Sequence, residues 1–314
     1  MSRIIVTGGA GFIGSHVVDH LLTSGDEVWV IDNFNDYYNP LQKHRNIEVH
    51  LKEKKFHLAK IDILDESAMR VVFSEAKPDL VIHLAARVGV RPSLNQVQLY
   101  EAVNIRGTVN VLEECKRIKC HEVILASSSS VYGRSPKIPF SEEDDVDHPV
   151  SPYAATKRTL ELLAYTYHNL WGLSCVCLRF FNVYGERGRP DNIPAMFTQL
   201  ILSTKPIPKF GDGTTRRDYT YISDIVDGIL RCRRKEFGYE IINLGNHHPV
   251  SLNDFITTLE GIVGIKAVIE QLPFNPADVP VTYADISKAK RLLDWEPKVS
   301  LSEGLRRYVE SVGI

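Results

Sequence analysis

No apolar run in this chain approaches the ~18 residues a membrane span requires, so a helical membrane protein is not expected. Cysteine is scarce, and its five copies (Cys115, Cys120, Cys175, Cys177, Cys232) are odd in number and lack metal-ligand spacing. A disulfide framework or a zinc site would need the opposite, so neither is expected and no metal is called for. Buried free thiols in a reducing cytosol are the simpler reading, with Cys175 and Cys177 sharing one face of an apolar strand. Charge of one sign is missing too: 37 basic against 39 acidic residues leave a formal net charge of −2. That balance gives no electrostatic case for nucleic acid or an anionic membrane. The first strand begins at Arg3, leaving no room for a signal peptide, and a cytoplasmic protein is expected. Repeats and low-complexity segments are absent. What remains is an ordinary globular composition, and 314 residues suit one large domain or two interlocked ones.

The stretch Arg3-Ile4-Ile5-Val6-Thr7-Gly8-Gly9-Ala10-Gly11-Phe12-Ile13-Gly14 opens on a β-branched run and breaks into glycines spaced G-x-x-G-x-x-G. A helical pattern follows at once, with Phe12, Ile13, Val17, Val18, Leu21 and Leu22 on one side until Gly25 stops it. Strand, glycine turn and helix N-terminus form an anion site, because free N–H groups and the helix dipole point at its occupant. Gly8 suits the tight turn, Gly11 the approach of a pyrophosphate, and Gly14 the packing of helix on strand. The next strand, Glu27–Ile31, ends in Asp32, about 20 residues on, where an acid holds a ribose 2′-OH. Dinucleotide binding is the expectation, and Asp32 favours NAD over NADP because a carboxylate repels a 2′-phosphate.

Strands and helices then alternate. Phe56–Ile61, Asp79–Leu84, Glu122–Ala126 and Leu173–Phe180 read as strands. Glu66–Ala76, a long region from Ser93 to Lys119, and Pro152–Leu170 read as helices. Repeated β-α-β implies an α/β fold, a Rossmann-type doubly wound parallel sheet covered on both faces. After residue 181 the pattern loosens, with more Pro and Gly, and a smaller C-terminal α/β lobe is expected. The partition is 1–181 plus roughly 214–246 for dinucleotide binding, against roughly 182–213 and 247–314 for substrate.

A second informative region is Ala126-Ser127-Ser128-Ser129-Ser130, followed by Tyr153-Ala154-Ala155-Thr156-Lys157. Tyr153 and Lys157 are four apart and share a helix face. By itself Y-x-x-x-K is common on surfaces; behind a dinucleotide turn and a serine cluster it points to chemistry. A tyrosine of pKa ~10 is a poor base, but a nearby ammonium favours its phenolate. Such a Tyr takes a hydroxyl proton while hydride leaves the same carbon.

These motifs resemble the extended short-chain dehydrogenase/reductases, and among them the NAD-dependent nucleotide-sugar epimerases. The likeness runs from Val6-Thr7-Gly8 to Leu293-Asp294-Trp295-Glu296-Pro297. It implies that Ser128, Tyr153 and Lys157 are catalytic, with Ser128 on the sugar O4 and Lys157 also on the cofactor ribose. For the cofactor it implies Gly8, Gly11, Phe12, Ile13, Gly14, Asp32 and Asn33, with Asp62 and Ile63 at the adenine. Leu84, Ala85, Ala86, Asn104, Ser127 and Phe180 complete that set. For a UDP-sugar it implies Arg87, Ser129 and Asn182, Pro208 and Phe210 at uracil, and Arg217 at the diphosphate, whose oxygens suit an Arg fork. Asp278 and Thr282 belong to the same set.

Within this branch, dehydratases resemble a version with an Asp-Glu pair directly after the catalytic hydroxyl. Ser129 and Ser130 stand there, and hydroxyls are poor substitutes for carboxyl acid/bases, so epimerisation at C4 is expected. Two substrates compete. Arg87-Val88-Gly89-Val90-Arg91 and Arg187-Gly188-Arg189-Pro190-Asp191 are similar to UDP-glucuronate 4-epimerases, with Arg189 at the sugar carboxylate and Thr282 leaving space. Asn182, in contrast, resembles glucose-type enzymes, which keeps UDP-glucose/UDP-galactose or N-acetylhexosamine forms open. A homodimer is the implied assembly, through surplus apolar residues such as Leu99, Leu160 and Leu163.

Overall fold

The computed structural model describes residues 1–233, 235, 237–274 and 279–313. Seven strands build one parallel sheet: β1 (Arg3–Thr7), β2 (Glu27–Ile31), β3 (Phe56–Ala59), β4 (Leu80–His83), β5 (Glu122–Ser128), β6 (Ser174–Phe180) and β7 (Tyr239–Leu244). Their order is β7-β6-β5-β4-β1-β2-β3. The apolar runs read as strands because they are buried on both faces, β4 along its whole length and β1 at all but its first residue. The order reverses beside β1, whose Thr7 lies opposite Ile31 on one side and His83 on the other. Ligands of open α/β sheets bind beyond the strand ends at such a switch point. This is the doubly wound class expected from the sequence.

Helix boundaries follow local chemistry. In Pro152–Trp171 the Ser151 hydroxyl accepts from Ala154 N at 3.1 Å, Pro152 takes the first turn, and Gly172 at φ 69° ends the helix. The helical region Ser93–Lys119 is not one continuous α-helix. Short helices at Val90–Ser93 and Val97–Glu101 lead into a π-turn over Ala102–Arg106, and Gly107–Ile118 resumes the α-helix. The π-turn inserts one residue into the helical ladder and carries Asn104 inward to 1% exposure. Gly107 then passes so close to Ile63 that a Cβ would stand 2.5 Å from its Cδ1.

The chain divides into two compact units, Met1–Gly133 with Asp145–Arg179 and Val226–Ile242, and Arg134–Asp144 with Phe180–Ile225 and Asn243–Ile314. In the first, Ile5, Val81, Val123 and Leu125 of the sheet pack with Phe73 and Leu112 of the helices. In the second, Tyr219 and Phe197 flank Phe255, at ring separations of 4.9 and 6.2 Å. There Trp295 is 1% exposed and its indole donates to Asp224 O at 2.9 Å. Residues 134–144, 180–181, 214–225 and 243–246, expected in the dinucleotide part, belong to the second unit. Phe140 hydrogen-bonds both ways with the 283–285 segment, and Arg216–Asp218 pairs antiparallel with Pro249–Ser251.

All five cysteines are buried and unpaired. Among the described residues no helix is long and apolar enough to cross a membrane. Leu160 corrects a sequence expectation: at 1% exposure it belongs to the first unit's own core, whereas Leu162 and Tyr165 on the same helix are about half exposed.

Candidate active site

The glycine turn is built by backbone constraints. Gly8, at φ 69°, donates to Ile31 O at 2.7 Å, and Gly11 N donates to Gly8 O at 3.0 Å. A Cβ on Gly8 would meet Ala85 N at 2.8 Å, while one on Gly11 would meet Gly8 O at 3.1 Å and the Tyr38 hydroxyl at 4.0 Å. Gly11 caps Phe12–Thr23 without a side chain, and the first helical bond inward is Ser15 N to Gly11 O. The N–H groups of Phe12, Ile13 and Gly14 therefore have no helical partner and suit a pyrophosphate. Gly9 matters as well, though the spacing motif passes over it: a Cβ there would collide with Val30 at 2.8 Å.

Gly14 is the tightest position of the turn, where a Cβ would stand 2.2 Å from Gly8 O. That atom is backbone, so no rotamer change relieves the overlap. Gly14→Ala is expected to cost roughly 1–3 kcal/mol and to open the turn, seen as a lowered Tm and lost NAD binding on titration. Wild-type affinity in a folded Gly14→Ala protein would contradict this account of the turn.

At the end of β2, Asp32 is 5% exposed. Its Oδ1 accepts from Phe34 N at 2.8 Å and from the buried Lys43 ammonium at 3.2 Å. Among the described residues its Oδ2 has no partner, which leaves an acceptor for a ribose hydroxyl. No motif in the sequence marks Lys43 as the partner of Asp32. The carboxylate is neutralised, so the preference for NAD rests on hydrogen-bonding geometry at Oδ2 more than on repulsion of a phosphate. Asn33 and Asp62 link the ends of β2 and β3 by a 2.7 Å bond, with Ile63 buried beside them.

The end of β4 is held by a chain of side chains. Thr7 accepts from Ala85 N at 3.2 Å and donates to His83 Nδ1 at 2.7 Å, which leaves the proton on Nε2. Nε2 lies 3.1 Å from Thr108 Oγ1, which in turn donates to Asn104 O. Burial, and then the Lys157 charge, push His83 down to about 3, so the imidazole is neutral. The Asn104 amide accepts from Arg87 N and donates to Arg87 O and to Thr156 Oγ1, at 2.8, 2.9 and 3.0 Å. Its work is to shape the Leu84-Ala85-Ala86-Arg87 segment. The Arg87 guanidinium lies 5.1 Å from the Tyr37 ring centroid, and its Nε is buried without a partner.

Tyr153 and Lys157 share one face of their helix, the Lys157 ammonium standing 5.9 Å from the Tyr153 ring centroid. Lys157 is 3% exposed and donates to Ala126 O at 2.7 Å. Two of its three N–H groups remain for ribose hydroxyls. Burial pulls its pKa down to about 8, against the opposing influence of Cys177 and Glu161. Two residues past Ala126, Ser128 Oγ accepts from Ser130 N at 3.2 Å and Ser130 Oγ at 3.0 Å. With its lone pairs so engaged, the Ser128 hydroxyl proton is available to a ligand oxygen. Ser129 is buried. Ser127, expected beside the cofactor, turns its hydroxyl the other way and donates to Glu161 at 2.6 Å, as strand alternation requires.

The second unit holds the other expected ligand residues. Phe180 is buried, and Asn182 is exposed and accepts from Thr220 N through its carbonyl. Arg189 is already engaged: Nε and Nη2 donate to the two Asp191 oxygens at 2.9 and 3.2 Å, and Nη2 also to Asn192. Arg217 donates to Arg216 O, and Thr282 Oγ1 accepts from Asp218 N at 3.0 Å. Pro208 and Phe210 lie half-buried on the strand Ile207–Phe210. A cleft of about 550 Å³ in this unit has Gly211, Thr214, Arg216 and Phe274 among its walls. Asp278 lies outside the described residues.

Known proteins resemble this chain over nearly its whole length. A UDP-glucuronate 4-epimerase of Thermodesulfobacterium geofontis is 49% identical over 311 residues, 98% of this chain and 95% of that protein. Among solved structures, the UDP-glucuronic acid 4-epimerase of Bacillus cereus, in complex with UDP-glucuronic acid and NAD, has a TM-score of 0.93 at 39% identity. A UDP-glucose 4-epimerase of Thermotoga maritima with UDP-glucose has a TM-score of 0.91 at 34% identity. Each of these two alignments covers 98% of both chains. The family model described as GDP-mannose 4,6 dehydratase matches residues 5–308, and the chain belongs to that family.

Proposed function

We propose that this protein is an NAD-dependent UDP-sugar 4-epimerase whose substrate is UDP-glucuronate. The observation that carries the reaction is Tyr153 beside a buried Lys157 ammonium, fastened to the strand that ends in Ser128. The relatives supply the sugar: the 49% identical protein is a UDP-glucuronate 4-epimerase. The family's name comes from a dehydratase, but Ser129 and Ser130 stand where that reaction needs carboxyl groups.

In this reading Ser128 donates to the sugar O4 and Tyr153 removes the O4 proton as its phenolate. Lys157 lowers the cost of that phenolate and holds the cofactor ribose. When bound there, NAD⁺ would supply the hydride chemistry, acceptance from C4 and return to the other face of the sugar. Tyr153 then gives its proton back to O4, and the cycle closes without net oxidation. The glycine turn, the free Asp32 Oδ2 and the two spare Lys157 N–H groups fit such a cofactor.

The test is C4 interconversion by the purified protein over a panel of UDP-sugars, followed together with absorbance at the reduced-nicotinamide band. UDP-glucuronate and UDP-galacturonate should interconvert with no net NADH; stoichiometric NADH would mark a dehydrogenase and overturn the proposal. Exposed Asn182, a glucose-type residue, favours UDP-glucose/UDP-galactose as the second reading, and the same panel decides it.

A homodimer belongs to this proposal. Leu162, Tyr165 and Leu170 on the catalytic helix, and Leu94, Val97 and Leu99 before the π-turn, are exposed apolar residues. A two-fold assembly would cover them. Light scattering at micromolar concentration should give twice the chain mass of 35.5 kDa, and a monomer would refute the dimer. Five buried thiols suit the reducing cytoplasm.

A further inference from the structure

The helix Pro152–Trp171 carries three polar side chains spaced by four, Tyr153, Lys157 and Glu161, which places them on one stripe. The first two belong to the proposed chemistry. Glu161 has no such role, yet its exposure is 0%. Its Oε1 accepts from Ser127 Oγ at 2.6 Å and Arg179 Nε at 2.8 Å. Its Oε2 accepts from Arg179 Nη2 at 2.9 Å and Arg158 Nη1 at 3.3 Å. One turn earlier, Lys157 donates to Ala126 O. Two successive turns of the helix are therefore fastened to two successive residues of β5, directly before Ser128. The same Arg179 guanidinium lies 4.8 Å from the ring centroid of Tyr132, at the far end of the turn that follows Ser128.

Apolar packing would hold this helix to the sheet at lower cost. Burying a carboxylate and a guanidinium carries a desolvation penalty that their attraction often only offsets. What the ionic arrangement supplies, and apolar packing does not, is directional contact on both sides of Ser128.

We infer that Glu161, through Ser127 and Arg179, is a positioning residue that sets the Ser128 hydroxyl in register with Tyr153. The inference rests on the epimerase reading for its kinetic consequence. Ser127→Ala isolates it, because that change removes one fastening and leaves the buried ion pair intact. The kcat for UDP-glucuronate should fall about 10-fold or more, as small misplacements of reacting groups do. KM and NAD affinity should stay within about twofold, and Ser127→Thr, which keeps the hydroxyl, should restore kcat. Amide exchange over residues 128–132 of the full-length protein should also speed up about 10-fold or more in Ser127→Ala. An inactive wild-type protein would count against the proposed function, and the exchange measurement would still decide the clamp. Wild-type exchange in Ser127→Ala, or wild-type kcat in an active background, overturns the inference.

Discussion

Tyr153→Phe is expected to retain fold and NAD binding and to lose turnover by roughly 10²–10⁴-fold, the usual consequence of removing a general base. The argument is local. Tyr153 is half-buried and packs edge-on to the buried Tyr100 ring at 6.2 Å, so a Phe ring fits the same space. Only the hydroxyl is lost, and with it the atom proposed to take the O4 proton. Lys157 adds a pH dependence. Burial holds its pKa down to about 8 in the protein without ligands. Below that value the ammonium is charged and favours the neighbouring phenolate. Above it the charge is lost, and the phenolate with it becomes harder to form. The pH profile of kcat/KM should therefore fall on its alkaline side near that value, and Lys157→Met should abolish that limb together with most of the rate. Steady-state kinetics on the two variants, with cofactor binding by titration, checks both. Near-normal turnover by folded Tyr153→Phe would remove the mechanism.

Arg189→Ala is expected to impair UDP-glucuronate about 10–150-fold more than a neutral UDP-hexose. A sugar carboxylate that leaves water needs a cation or several donors in exchange. Losing a hydrogen bond to a charged group costs roughly 1.5–3 kcal/mol, which sets that range in kcat/KM. The structure adds a competitor that the sequence pattern did not reveal. The Arg189 fork is closed on Asp191, whose side chain is 45% exposed. Exposed pairs of this kind are worth about 0–1 kcal/mol, so a better-desolvated substrate carboxylate can displace Asp191. If Arg189 only braces its loop through Asp191 and Asn192, acidic and neutral sugars will suffer alike. Equal losses across the panel would remove the main residue-level reason for preferring glucuronate.

Features that depend on neighbours along the chain were legible without coordinates. The strand–glycine–helix unit at Arg3–Thr23, the strand β2 stopping just before Asp32, and the end of the helix Pro152–Trp171 at Gly172 all follow from local propensity and backbone freedom. The i,i+4 spacing alone put Tyr153 and Lys157 on one face. The alternation of strands and helices was enough for the doubly wound class, because parallel strands need crossovers and crossovers need helices.

Tertiary structure decided what each polar group meets. Lys43 reaches Asp32 from eleven residues away, and no periodicity announces a buried lysine. The hydroxyl of Ser127 and that of Ser128 look alike in sequence, and only the side of the sheet on which the helix packs sends one to Glu161. Leu160 looks in sequence like a surplus apolar residue and is core, because a helix between sheet and neighbouring helices buries more than one stripe. The π-turn at Ala102–Arg106 was invisible for a related reason. One inserted residue leaves the apolar pattern nearly unchanged while rotating Asn104 into the protein. Local sequence sets which backbone conformations are cheap; which donors face which acceptors depends on contacts between residues distant along the chain, and only the assembled fold supplies those.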